Sequence, residues 1–170
     1  MASISDFKTQ FGIGVRANQF KVILQYPNTI NQGRSSEFFV KAANLPSSVI
    51  ANVDVPYRGR QIKIPGDRTF EDWEVTIFND EGFSHRDSLE VWMNGINQHN
   101  AGIQGANIDI YGQAEVQQLN RSGGILKSYN IVDIWPTNLA AIELAFDTND
   151  AVQEFTATFA IQYWEAITTS

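Results

Sequence analysis

The chain contains no cysteine among its 170 residues, which excludes disulfides, thiolate metal ligands and thiol nucleophiles. Histidine is nearly as scarce, with His85 and His99 the only two. Ser84 and His85 are adjacent, a spacing that does not by itself build a nucleophile–base pair, and no Gly-x-Ser-x-Gly elbow occurs. Gly12 and Gly14 stand without the third glycine and the preceding strand that a dinucleotide site needs. No apolar run reaches the roughly twenty residues of a membrane-spanning helix. The opening MASISDFKTQFGIG has neither the basic segment nor the apolar core of a signal peptide. Basic residues are outnumbered: 12 Lys and Arg against 19 Asp and Glu give a net charge of −7. Proteins that grip nucleic acid through its phosphates rely on clustered Lys and Arg, so this balance argues against such a role.

What is present is apolar and aromatic material, 43% and 12% of the chain, enough for a core and consistent with a single domain over residues 1–170. Residues 1–17 show no regular period and are expected to form an N-terminal arm. Strict alternation then marks strands. Phe20, Val22, Leu24 and Tyr26 share one face of Asn18 to Tyr26, and Glu37 to Ala43 forms a second strand after an Asn-, Gly- and Ser-rich loop. Residues 44–56, with Pro46 and Pro56, are expected to be a long connection rather than a central strand.

From Tyr57 to Phe78 the sequence predicts a β-hairpin turning at Pro65-Gly66-Asp67, with Ile62 and Ile64 on one arm and Trp73, Val75 and Ile77 on the inward face of the other. Ser84 to Gln98 changes period: Leu89, Trp92, Met93 and Ile96 fall at helical spacing, with Ser84 the expected N-cap. Strands follow over Ile108 to Leu119, Ile125 to Trp135, Ile142 to Phe146 and Phe155 to Tyr163, the last with Phe155, Ala157, Phe159, Ile161 and Tyr163 inward. The fold class is therefore mainly β: an antiparallel sandwich or barrel-like core of about eight strands with one flanking α-helix.

Charge is unevenly placed along this chain. Arg58, Arg60, Lys63 and Arg68 are four of its 12 basic residues, and seven acids follow between Glu71 and Glu90. Such a split suits either an ordinary solvated surface or a heterologous contact, in which one patch of a subunit meets a different patch of its copy. Asp72, Glu74, Asp80 and Glu81 are the one conceivable divalent-ion cluster, but no histidine or Gly-rich loop organises them. Asp147, Asn149 and Asp150 begin like a calcium loop, yet Val152 and Thr158 stand where its Gly and Glu belong. No cofactor or metal is expected.

Two segments carry a sharper likeness. IPGDRTFEDWEVTIFNDE (64–81) and IWPTNLAAIELAFDTNDAVQEFTATFAIQYWE (134–165) resemble the tail tube protein family of contractile-tailed, T-even-type bacteriophages. The resemblance implies a non-enzymatic virion protein, assembled in the host cytoplasm, that forms stacked hexameric rings. Its partners would be its own copies, the tail sheath protein, the tape-measure protein, baseplate tube-initiating proteins and a tail terminator. DNA would pass through the lumen without specific binding, and no membrane is involved. By similarity, the hairpin bearing Arg58, Arg60, Lys63 and Arg68 would reach neighbouring subunits. Asp72, Glu74, Thr76, Glu154, Thr156 and Thr158 are candidates for the channel wall, although an outer, sheath-facing position suits them equally. Other readings remain at this point: a tube subunit of a phage-derived injection machine, such as a tailocin or type VI apparatus, or a monomeric ligand-binding β-sandwich using the four Trp and five Tyr.

Overall fold

A computed structural model describes residues 3–12, 14–27, 39–98, 103–104, 110–146 and 151–167. Among them the elements run α1 (Ile4–Phe11), β1 (Phe20–Gln25), β2 (Val40–Ala43), β3 (Ser48–Tyr57), β4 (Arg60–Phe70), β5 (Trp73–Phe78), α2 (Ser84–Ile96), β6 (Asn97–Gln98), β7 (Ile103–Gln104), β8 (Gly112–Leu119), β9 (Ile125–Leu139), β10 (Glu154–Ala160) and β11 (Tyr163–Ile167). The pairings are antiparallel throughout, so the fold is mainly β with flanking helix, as the alternation predicts.

The long strand β9 organises the core. Its first part pairs with β8 and β11, and β8 pairs in turn with β1. Its last part pairs with β10, followed by β5 and β2. Between the two parts Asp133 takes a φ of 53°, a conformation that is uncommon for a non-glycine residue and that bends the strand. Both halves turn apolar faces to one cluster: Val22, Leu24, Ala114, Val116 and Ile131 from one, and Trp73, Val75, Ile77, Phe155, Ala157 and Phe159 from the other. Fully burying each large member contributes about 1.5–3 kcal/mol.

Helix α2 adds Leu89 and Trp92 to this cluster, both at most 1% exposed, with Met93 and Ile96 half-buried along the predicted stripe. Trp92 donates its indole N–H to the Ile110 carbonyl at 2.7 Å and packs against Phe159 and Tyr26. The helix starts one residue away from the expected cap. Phe83 occupies the N-cap with φ 52° and offers no side-chain bond, while Asp80 accepts from both the backbone N–H and the hydroxyl of Ser84.

Several expectations fail, each for a local reason. Residues 44–56 are not a connection, because Ser48–Tyr57 form the ten-residue strand β3 paired with β4. Pro56 fits because this strand is paired on one side only, leaving room for a residue without an N–H donor. The hairpin turns at Arg58-Gly59 rather than at Pro65-Gly66-Asp67: both residues have positive φ, 47° and 78°, and two residues separate the paired Tyr57 and Arg60. That is the geometry of the two-residue turn whose twist matches a β-ribbon. Pro65 and Gly66 lie inside β4, at a register shift facing Ala51, where a Cβ on Gly66 would stand 3.0 Å from the Ala51 carbonyl oxygen.

Strand β9 runs through Pro136 instead of stopping there, helped by a register shift against β10 beside Phe159. Residues 140–145 form no strand. The final strand breaks at Ile161-Gln162 into β10 and β11, so Tyr163 faces out at 40% exposure. The expected arm contains the helix α1, set by a capping box in which Ser3 and Asp6 exchange side-chain and backbone bonds. The loop after Pro27, His99 and the Asp147–Asp150 turn lie outside the described residues.

Candidate assembly surfaces

Among the described residues, strands β3 and β4 form a two-stranded sheet that pairs with no other strand. Register places Val53 beside Ile64 and Val55 beside Ile62 on one face, and Asp54 beside Lys63 and Pro56 beside Gln61 on the other. The apolar face is uncovered, with Val53, Ile62 and Ile64 each close to half exposed. A lone hairpin of this kind is marginally stable in water, and its exposed apolar face is a candidate contact surface.

The four basic candidates all sit on this ribbon and are exposed, but they do not form a single patch. Arg58 is in the turn, its guanidinium 5.4 Å from the Tyr57 ring centre. Arg60 shares the apolar face at the tip, Lys63 lies on the opposite face across from Asp54, and Arg68 lies near the root across from Ile50. Several contacts fasten the root to the body. Ser47 donates to the Glu71 carboxylate at 2.6 Å, Trp73 donates to the Asn44 carbonyl at 2.7 Å, and the Phe70 ring meets Trp164 edge-on.

Five of the six wall candidates come together on the outward face of β5 and β10. Thr76 pairs with Thr156 and Glu74 with Thr158, and the two threonine hydroxyls lie 3.4 Å apart. Glu154 pairs with Phe78 at the end of the same face and forms an ion pair with Lys41, so the face is not uniformly acidic. Asp72 precedes β5 and stands apart in the exposed link after β4. Asp80, weighed with Asp72 and Glu74 as an ion ligand, is committed instead to Ser84, whose hydrogen bonds hold its carboxyl below the usual range. Among the described residues no group of three His, Asp or Glu side chains is placed to hold a metal.

The sequence that defines the phage tail tube proteins matches residues 5–167 of this chain. The chain belongs to that family. It is 34% identical to the tail tube protein gp19 of Enterobacteria phage T4 over 152 residues, 88% of this chain and 90% of that protein. Its fold matches the tube–sheath terminator of the extracellular contractile injection system PVC with a TM-score of 0.68 at 15% identity, covering 90% of this chain and 96% of that one. A chain from that system's extended sheath–tube complex matches with a TM-score of 0.59 at 17% identity, covering 99% and 100%. The protein is thus a tail tube protein of the phage virion, and its relatives are structural proteins.

Residue-by-residue reasoning missed the β3 half of the ribbon and with it the apolar face. The signal was present in the alternation of Val53, Val55 and Tyr57, which Pro56 obscured.

Proposed function

We propose that this chain forms six-membered rings that stack into a hollow tube inside a contractile sheath, with strands of all six subunits closing an inner barrel. The observation that carries this reading is the β3–β4 ribbon: ten and eleven residues long, paired only with itself, and apolar on a face the chain leaves open. Placed against a neighbouring copy, the ribbon loses that exposure, and Arg58, Arg60, Lys63 and Arg68 meet the acidic remainder of the partner's surface. The sheet also ends in strands with unpaired edges, β1 and β2, which pairing around a closed ring would satisfy.

In this arrangement the Thr- and Glu-bearing face of β5 and β10 supplies channel wall, with Glu74, Thr76, Thr156 and Thr158 in rows. A polar wall with acidic residues lets tape-measure protein and DNA move without binding them. The sheath protein, the baseplate tube-initiating proteins and a terminator complete the contacts, and no catalytic step is involved. The chain is twice as similar in sequence to the phage T4 protein as to the injection-system subunits, which favours a phage tail over a phage-derived machine. A monomeric ligand-binding sandwich is disfavoured because Trp73 and Trp92 are buried and Trp135 and Trp164 pack on the core.

Sedimentation of the purified protein over rising concentration tests this reading. A six-chain species, or a sudden shift to very large particles, is expected. A monomer at every concentration that also fails to grow from added tail baseplates would overturn it.

A further inference from the structure

Helix α1 carries an apolar stripe that no described residue covers. Ile4, Phe7 and Phe11 fall at i, i+3 and i+7, stand 76%, 62% and 60% exposed, and no residue of the helix is buried. The Phe7 and Phe11 rings stack at 5.2 Å, so the stripe is one continuous surface. A helix of eight residues is not stable alone in water even with a good cap, so its form anticipates a docking surface.

At the end of β5 and β10 lies the complementary feature, a groove of about 1050 Å³. Phe78, Leu144, Phe146 and Val152 contribute apolar walls, and the last three stand 83%, 106% and 68% exposed. Charge matches as well. Lys8 flanks the helix stripe and Glu143 the groove, and neither has an ion-pair partner among the described residues, whereas Lys41, the cation in the groove lining, is taken by Glu154.

We propose that α1 of one copy docks into the Phe78–Leu144–Phe146–Val152 groove of a neighbouring copy, with Lys8 beside Glu143. This rests on the tube reading, because each chain offers one helix and one groove, and such a head-to-tail contact propagates around a ring or along a stack. In the single chain both surfaces stand open at once. The Gln118 side chain holds the Arg16 carbonyl oxygen at 2.9 Å, and the four-residue link from there to Gly12 can carry the helix roughly 14 Å away from that anchor. Three side chains bury far less than the ~800 Å² per partner of a stable free-standing contact. The docking therefore forms within the assembled tube and not between two dispersed chains.

Because the chain lacks cysteine, thiol cross-linking tests this cleanly. Phe7→Cys chains are mixed with Leu144→Cys chains, assembled, and treated with a short flexible thiol–thiol reagent. Cross-linked pairs are expected in tubes and absent from dispersed chains, and Phe7→Asp is expected to raise the critical concentration for assembly about tenfold or more. Tubes of normal appearance that yield no cross-linked pair, together with an unchanged critical concentration for Phe7→Asp, would overturn the docking while leaving the tube role intact. Cross-linking only within a Phe7→Cys/Leu144→Cys double-variant chain would place the helix in its own groove and equally overturn it. Unmodified protein that forms no tubes even from baseplates would refute the tube role and the docking with it.

Discussion

Trp164 donates its indole N–H to the carbonyl oxygen of Ser47 at 3.0 Å, joining β11 to the residue that precedes the ribbon. Phe70 from the ribbon's other strand and Tyr129 from β9 both meet the Trp164 ring edge-on. One side chain near the C-terminal end thereby helps set where the projection formed by residues 48–70 leaves the body. Trp164→Phe keeps an aromatic ring but deletes the indole donor and part of the ring area, which costs about 1 kcal/mol or more. The expected result is a folded protein whose β3 amides exchange hydrogen faster and whose assembly begins at higher concentration.

The basic residues of the ribbon are exposed and make no ion pair among the described residues, so reversing them leaves the monomer intact. An Arg58→Glu, Arg60→Glu, Lys63→Glu variant is expected to unfold within a few degrees of the parent but to form no stacked rings. Normal tubes from this variant would remove these three charges from the assembly contact.

Gly112 lies directly against the Trp92 ring of the helix. A Cβ there would stand 2.6 Å from the Trp92 ring and 2.7 Å from the Gln25 carbonyl oxygen. The ring is itself buried and hydrogen-bonded, so it cannot swing aside. Gly112→Ala is expected to destabilise the fold by about 1–3 kcal/mol, read as a lowered denaturation midpoint.

Asp80 holds the start of α2, and its carboxyl sits below the ordinary aspartate value because the Ser84 hydroxyl and N–H favour the charged form. The stability it contributes is full above pH 3.8 and lost as pH falls through its lowered folded value. Asp80→Asn is therefore expected to melt earlier than the parent at pH 7, with the gap closing on acidification below that range. A gap that stays constant to low pH would mean that the carboxylate charge is not what the helix start uses.

Tyr26 behaves oppositely. Burial pushes its hydroxyl up to about 12, and that hydroxyl has no hydrogen-bond partner among the described residues. The neutral form is the folded form, so stability is full below pH 10 and falls as pH rises toward 12. Tyr26→Phe is expected to be as stable as the parent or slightly more so at pH 7, and to lose less stability under alkaline conditions.

The core was legible wherever strands are half-buried. Trp73, Val75, Ile77, Phe155, Ala157 and Phe159 declare their inward face by alternation, and all are at most 2% exposed. The helix stripe of Leu89 and Trp92 was equally plain. Turn chemistry misled where two signals competed: Pro65-Gly66 is the stronger turn motif, yet the ribbon uses it for a register shift and turns at Arg58-Gly59. The capping box of Ser3 and Asp6 would have located α1, had a helix without a core been considered. Assembly surfaces were the hardest to read. Val53, Val55, Ile62 and Ile64 follow the pattern of a buried strand and yet stand exposed in the single chain.

Electron microscopy of the purified protein at low and high concentration, with and without tail baseplates, tests the tube account most directly. The account predicts hollow tubes or six-fold rings in which the β3–β4 ribbon is covered by neighbouring copies. Solid aggregates, or dispersed chains under every condition including baseplate seeding, would contradict it.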